Sequence, residues 1–113
     1  MITATCHCGK ISLEVKTAPE WVGSCNCSIC RRTGGLWAYY SPKDVSHDGA
    51  DAASSKYQWG DRMLTMHFCG DCSCMTHWTA VDPHYERMGV NARMMPDVNL
   101  DEMEVRLIDG ASF

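Results

Sequence analysis

The sequence contains no apolar run approaching the roughly 20 residues that cross a bilayer as a helix, so no membrane partner is expected. It does not open on a basic stretch followed by an apolar run, so no secretory leader is expected and a cytoplasmic location follows. Positive charge is scarce: 10 Lys and Arg stand against 14 Asp and Glu, for a formal charge of −4. A nucleic-acid partner is therefore not expected, because that binding rests on phosphate neutralisation by Lys and Arg. No long amphipathic helical pattern, internal repeat, low-complexity tract or linker is visible. The 113 residues are expected to form a single small domain, 1–113. Domains have net stabilities of about 5–15 kcal/mol, and a structural zinc contributes about 10–16 kcal/mol in small metallo-domains. A metal could therefore decide whether such a chain folds.

Cysteine is what the chain has in abundance, with eight residues. Cys6-x-Cys8, Cys25-x-Cys27-x-x-Cys30 and Cys69-x-x-Cys72 form knuckle-like clusters, with Cys74 outside them. Cys-x-Cys pairs make strained disulfides, and a reducing compartment disfavours a disulfide framework, so zinc is the expected partner of these thiols. Seven of the cysteines divide into four and three. Cys6, Cys8, Cys69 and Cys72 would close a tetrahedral structural zinc site, whereas Cys25, Cys27 and Cys30 would leave one corner open, as a catalytic zinc requires. The candidates for that corner are His7, His67, His77, Cys74, water or a substrate. Water or substrate would make the site reactive, because zinc polarises a carbonyl and favours the thiolate form of a bound thiol. A fourth protein ligand would make the second zinc structural too. Cys74 is either a small core residue or a spare ligand.

Ile11, Leu13 and Val15 alternate with polar residues and predict a half-buried strand just after the first cysteine pair. Further strands are expected at Val22 to Cys25, Leu36 to Tyr40, Met75 to Val81, Val90 to Met94 and Met103 to Ile108. Tyr57 to Trp59 and Arg62 to Phe68 flank Gly60-Asp61, which suits a two-residue hairpin turn with Gly first. Pro42 to Ser55 is polar and reads mostly as loop, and Pro83 to Arg87 as a connection. The expected fold is mainly β and antiparallel, with metal holding the turns.

Arg31 and Arg32 follow the three-thiol motif, where guanidinium groups suit a substrate carboxylate, though either could equally be a solvated surface residue. Thr33-Gly34-Gly35 gives a flexible turn where backbone could approach a ligand. His67 and His77 fall on expected strands, as partly buried polar residues or as proton carriers near the metal. Trp21, Trp37, Tyr39, Tyr40, Trp59 and Trp78 should be mostly core, with one or two walling a pocket.

Taken together, Cys6-His7-Cys8-Gly9, Cys25-Asn26-Cys27-Ser28-Ile29-Cys30-Arg31-Arg32-Thr33-Gly34, Phe68-Cys69-Gly70-Asp71-Cys72 and Gly89-Val90-Asn91-Ala92-Arg93 resemble the glutathione-dependent formaldehyde-activating family, also called the GFA/centromere protein V family. The order and spacing match over nearly the whole chain. The resemblance implies a β-tent fold of small folded antiparallel sheets, shared with methionine sulfoxide reductase B and yippee-like proteins. It implies a closed zinc at Cys6, Cys8, Cys69 and Cys72, and a second zinc at Cys25, Cys27 and Cys30 beside a thiol substrate; with only three thiolates, that second site is expected to be partly occupied. One departure is Ser73, where the family has Gly; a left-handed turn there would cost Ser about 1–2 kcal/mol.

Two functions are consistent with these residues. One is a zinc-dependent carbon–sulfur lyase, like S-hydroxymethylglutathione synthase, acting on the adduct of a thiol such as glutathione with a small aldehyde such as formaldehyde. The other is a non-catalytic zinc module that binds a thiol or a protein partner. A monomer or homodimer is expected.

Overall fold

The computed structural model describes residues 1–112 and is mainly β. Its strands are β1 (Ile2–Thr5), β2 (Ser12–Val15), β3 (Trp21–Cys25), β4 (Trp37–Tyr40), β5 (Val45–Ser46), β6 (Ser55–Tyr57), β7 (Leu64–Phe68), β8 (Met75–Ala80), β9 (Met88–Asn91) and β10 (Glu104–Ile108). Two one-turn helices, α1 (Ser28–Thr33) and α2 (Asp48–Ala53), interrupt them. The strands form a three-stranded sheet, β1-β2-β5, and a seven-stranded sheet, β10-β3-β4-β9-β8-β7-β6. No helix among the described residues is long and apolar enough to cross a membrane.

The period-2 pattern after the first cysteine pair acts as expected. Ile11, Leu13 and Val15 point into the core while Ser12 and Glu14 face out. β1 pairs with β2 in register Ala4↔Leu13, and the Cys6–Cys8 knuckle occupies the turn between them. The Cys6 N–H donates to the Ile11 carbonyl at 3.0 Å and closes that turn.

The Gly60-Asp61 turn also forms. Gly60 takes φ 60°, and the Arg62 N–H donates to the Trp59 carbonyl at 3.0 Å. The ladder starts farther from the turn than expected, with Tyr57 paired to Met66. The end of this hairpin delivers Cys69.

Three differences from the sequence expectation have physical reasons. Pro42 to Ser55 is not mostly loop: it holds a 3₁₀ turn at Pro42–Asp44, strand β5 and helix α2. A six-residue helix is too short to show an amphipathic period, and only Ala50 of α2 is buried. Tertiary bonds fasten α2, since Asp51 accepts from His77 Nε2 at 2.6 Å and pairs with His47 Nδ1 at 2.7 Å. The strand expected at Val90 to Met94 starts earlier, at Met88, and ends in a 3₁₀ turn at Ala92–Met94. Asn91 turns the chain there: its side chain is buried, donates to the Met75 carbonyl at 2.8 Å and accepts from the Leu36 N–H at 3.2 Å. Finally, the closing strand β10 runs parallel to β3, with Val105 opposite Val22, so the large sheet is mixed.

Gly89 shows why the later motif needs a residue without a side chain. β9 pairs with β8 so that Gly89 faces Trp78, and a Cβ on Gly89 would lie 2.0 Å from Trp78 Nε1. The indole therefore passes directly over Gly89, and it lines the cavity described below.

Candidate metal centres and the cavity beside them

The cysteines gather into the two groups suggested by their spacing. The Sγ atoms of Cys6, Cys8, Cys69 and Cys72 all lie within 4.8 Å of one another, as do those of Cys25, Cys27 and Cys30. All eight cysteines are free. The Cys6–Cys8 and Cys8–Cys69 sulfur separations are 3.7 and 3.5 Å. Sulfurs about 2.3 Å from a tetrahedral zinc stand about 3.8 Å apart, so the spacing fits a metal ion between them.

Backbone N–H groups add to the fit. Ile11 N–H points at Cys6 Sγ at 3.2 Å, and Cys72 N–H at Cys69 Sγ at 3.5 Å, which favours thiolates. Without a cation the thiols oppose one another's ionisation. Backbone N–H groups of Cys74 and Cys8 bring the Cys72 thiol down to about 5. The Lys10 N–H favours the Cys8 thiolate, yet neighbouring Cys69 and the other sulfurs push Cys8 up to about 12. A divalent cation removes that conflict.

Ser73 adopts φ 66° in this knuckle, and its N–H donates to the Cys69 carbonyl at 2.9 Å. A non-glycine residue therefore holds the left-handed position. Ser73→Gly is expected to stabilise the metal-loaded domain by about 1 kcal/mol, read as a higher urea midpoint; an unchanged or lower midpoint would mean the turn carries no strain. Cys74 lies outside the four-sulfur group, half-buried at the edge of the core. His7 is exposed and belongs to neither thiol group.

The second group is built where β3 runs into α1. Cys25 ends the strand, Cys27 is the N-cap residue, and buried Cys30 sits inside the helix rather than on a loop. Gly34 ends α1 at φ 71°, its N–H donating to the Cys30 carbonyl. Arg93 Nε then donates to the Gly34 carbonyl at 2.8 Å, which ties the later motif to this turn. Asn26, between two of the cysteines, bonds Asp109 Oδ1 at 3.0 Å and the Ala111 N–H at 2.9 Å, and so fixes the C-terminal segment against the thiols. Trp37 Nε1 donates to Cys30 Sγ at 3.3 Å, whereas burial drives that thiol up to about 12 in the absence of a cation.

A cavity of about 880 Å³ opens beside these three thiols. Trp37, Tyr39, Trp59, Met66 and Trp78 line it together with Cys25, Cys27 and Cys30. Arg87 and Asp61 are its charged lining residues. The Arg87 guanidinium stacks 4.3 Å over the Tyr39 ring. Burial, with Cys25 nearby, raises the Tyr39 hydroxyl to about 12, so it stays protonated at neutral pH. Arg31 and Arg32 are exposed on α1 and do not line the cavity; Arg32 Nη1 instead donates to the Ser28 carbonyl at 2.8 Å. Tyr39 and Trp59 were visible in the sequence only as general aromatic surface. Arg87 carried no signal, because it lies in a plain connecting segment.

His67 and His77 are not positioned as proton carriers for the three-thiol centre. They are paired across β7 and β8, while the next pair, Met66 and Trp78, points to the opposite face and the cavity. Period 2 therefore places the imidazoles on the side of the sheet away from Cys25, Cys27 and Cys30. Their rings stack at 4.1 Å and 5°, fully buried. His67 bonds Ser54 Oγ at 2.7 Å and Thr79 Oγ1 at 2.8 Å; His77 bonds Thr76 Oγ1 at 2.8 Å and Asp51. Asp51, His67 and His77 have ligand atoms within 4.8 Å of one another, but all four ring nitrogens are already hydrogen-bonded to side chains.

Burial lowers both histidines, His67 to about 4. An unfolded histidine titrates near about 6.5, so the unfolded chain binds more protons between those values. Stability from His67 is complete above about pH 6.5 and is lost as the pH falls toward about 4, by about 3 kcal/mol. Urea unfolding at a series of pH values should show this slope, and His67→Gln should flatten it. An equal slope in the variant would assign the acid loss elsewhere.

The family model described as glutathione-dependent formaldehyde-activating enzyme matches residues 1–106. No curated protein matches the sequence. Among solved structures, a crystal structure of a Rhodobacter sphaeroides protein from structural genomics superposes with a TM-score of 0.76 at 29% identity, covering 93% of this chain and 100% of the other.

Proposed function

Because this chain belongs to the glutathione-dependent formaldehyde-activating enzyme family, we propose that it accelerates the reversible addition of a thiol such as glutathione to an aldehyde, forming or cleaving a carbon–sulfur bond at the Cys25–Cys27–Cys30 centre. The observation that carries this reading is the asymmetry of the two thiol groups. Four sulfurs enclose one centre, whereas three define the other, which opens on a cavity large enough for a small-molecule substrate. Zinc at the three thiols would supply a Lewis acid with a position left for an incoming sulfur.

The chain's own residues account for the rest. In the addition direction the thiol sulfur bonds to the carbonyl carbon, the carbonyl π pair moves onto oxygen, and the thiol's proton ends on that oxygen. Tyr39 is the group suited to move this proton, since its hydroxyl is neutral and it lines the same cavity as the thiols. Arg87, held over the Tyr39 ring, suits a carboxylate of the thiol substrate, the role the sequence suggested for Arg31 and Arg32. Asn26 and Arg93 keep the three-thiol turn in place.

The glutathione–formaldehyde reaction proceeds without a catalyst, so the test is acceleration. Exchange between free and adduct glutathione, followed by NMR with zinc-loaded protein, should exceed the uncatalysed rate. Tyr39→Phe should lower the enzymatic part about 100-fold without weakening thiol binding. No excess over the uncatalysed rate with any thiol and aldehyde, in protein carrying both metals, would favour a binding module instead.

A further inference from the structure

We infer that the aldehyde-derived part of the substrate is an aromatic-sized apolar group rather than a single carbon; this rests on the thiol-adduct reading above. Formaldehyde is scarcely larger than water, whose share of liquid volume is about 30 Å³. The cavity, about 880 Å³ and near the top of the roughly 300–1,000 Å³ range of small-molecule pockets, must take the thiol as well and has room for a ring-sized substituent beside it.

The walls point to apolar contents. Cys30, Trp37, Met66 and Trp78 are buried in one continuous apolar cluster, and Cys25, Cys27, Tyr39, Trp59 and Leu64 pack against it. A carbon bonded to a sulfur at the three-thiol centre therefore has its substituent beside this cluster. Tyr39 and Trp78 meet edge to face at 6.4 Å, and Trp59 extends the wall toward the solvent, stacked at 9° on Tyr57. Flat rings suit such surfaces, through offset and edge contacts.

The charged lining supports the same division. Arg87 and Asp61 are the charged groups, enough for one carboxylate and one ammonium of an amino-acid-bearing thiol. The rest of the lining is mostly apolar, with Ser28, Tyr39 and Tyr85 as its neutral polar side chains. A one-carbon substituent would leave the aromatic wall in contact with water.

The test uses two inert thioethers, S-benzylglutathione and S-methylglutathione, titrated by calorimetry into the zinc-loaded full chain. The benzyl compound should bind about 30-fold more tightly, as expected for a phenyl group entering an apolar pocket. Trp59 is only partly buried, and Trp59→Ala should remove most of that preference while leaving S-methylglutathione binding within about twofold. Met63, half exposed at the cavity rim, provides a second variant that does not touch the core. Met63→Glu should weaken the benzyl compound more than the methyl one.

Equal affinities for the two thioethers, or equal losses in both variants, would overturn the size preference and leave the thiol-adduct reading standing. Failure of both thioethers, and of free glutathione, to bind protein that retains metal at both centres would overturn the thiol-adduct reading as well.

Discussion

Cys69→Ser is expected to abolish the cooperative thermal transition and to leave the purified protein with one metal ion fewer. Cys69 is 1% exposed, and its sulfur stands 3.5 Å from Cys8 across 61 residues of chain. The four-thiol group thus joins the β1–β2 turn to the β7–β8 turn; the other bonds that cross there, from the Cys8 N–H to the Cys72 sulfur, from the His7 N–H to the Cys74 sulfur and in the exposed Lys10–Asp71 pair at 3.5 Å, contribute little beside a metal ion. A structural zinc is worth about 10–16 kcal/mol, against a net stability of about 5–15 kcal/mol for a whole domain. Loss of one ligand of four therefore removes more than the fold has to spare. Cys74→Ser is the control: it lies outside the group and should cost no more than about 1 kcal/mol. Scanning calorimetry decides it, and a Cys69→Ser transition at the parent temperature would show that this centre does not hold the fold.

Cys27→Ser is expected to give the opposite result, a folded chain without function. Cys27 is the N-cap residue of α1, a position where Ser is among the preferred residues, so the helix should start as before. The parallel β3–β10 pairing and the Asn26 bonds to Asp109 and Ala111 hold the surrounding backbone independently of the thiol. What is lost is one of three sulfurs at the open centre. Removing a group that only orients a metal ligand typically costs about 10–100-fold, so removing a ligand itself should exceed that. Glutathione binding by calorimetry should become undetectable while the thermal transition stays close to the parent's. A transition destabilised as severely as in Cys69→Ser would make both centres structural.

The contrast between the two variants also marks how far the residues could be read in order. The cysteine knuckles, the Ile11–Leu13–Val15 strand and the Gly60 turn were legible because each depends on a few neighbouring residues: thiol spacing, period 2 and a positive φ. Helix α2 was not legible, because Asp51 is anchored by His47 and by His77 from a distant strand. The same holds for Asn91, whose amide joins residues 36, 75 and 93. Arg31 and Arg32 were attractive as neighbours of the three-thiol motif, but α1 leaves both in solvent, and Arg87 reaches the cavity from a connection 55 residues beyond Arg32.

By itself, then, the order of residues determined that this is a small, mainly β chain with two sets of thiols suited to metal, since turn chemistry and strand alternation are properties of short segments. Only the folded molecule decided what faces the three-thiol centre. Alternation separates Met66 and Trp78 from His67 and His77, but it does not say which side meets the three thiols; that depends on where β9, α1 and the chain after β10 pack. The stacking of those elements put aromatic rings and Arg87 around the cavity that the sulfurs line and sent the histidines to the far face of the sheet.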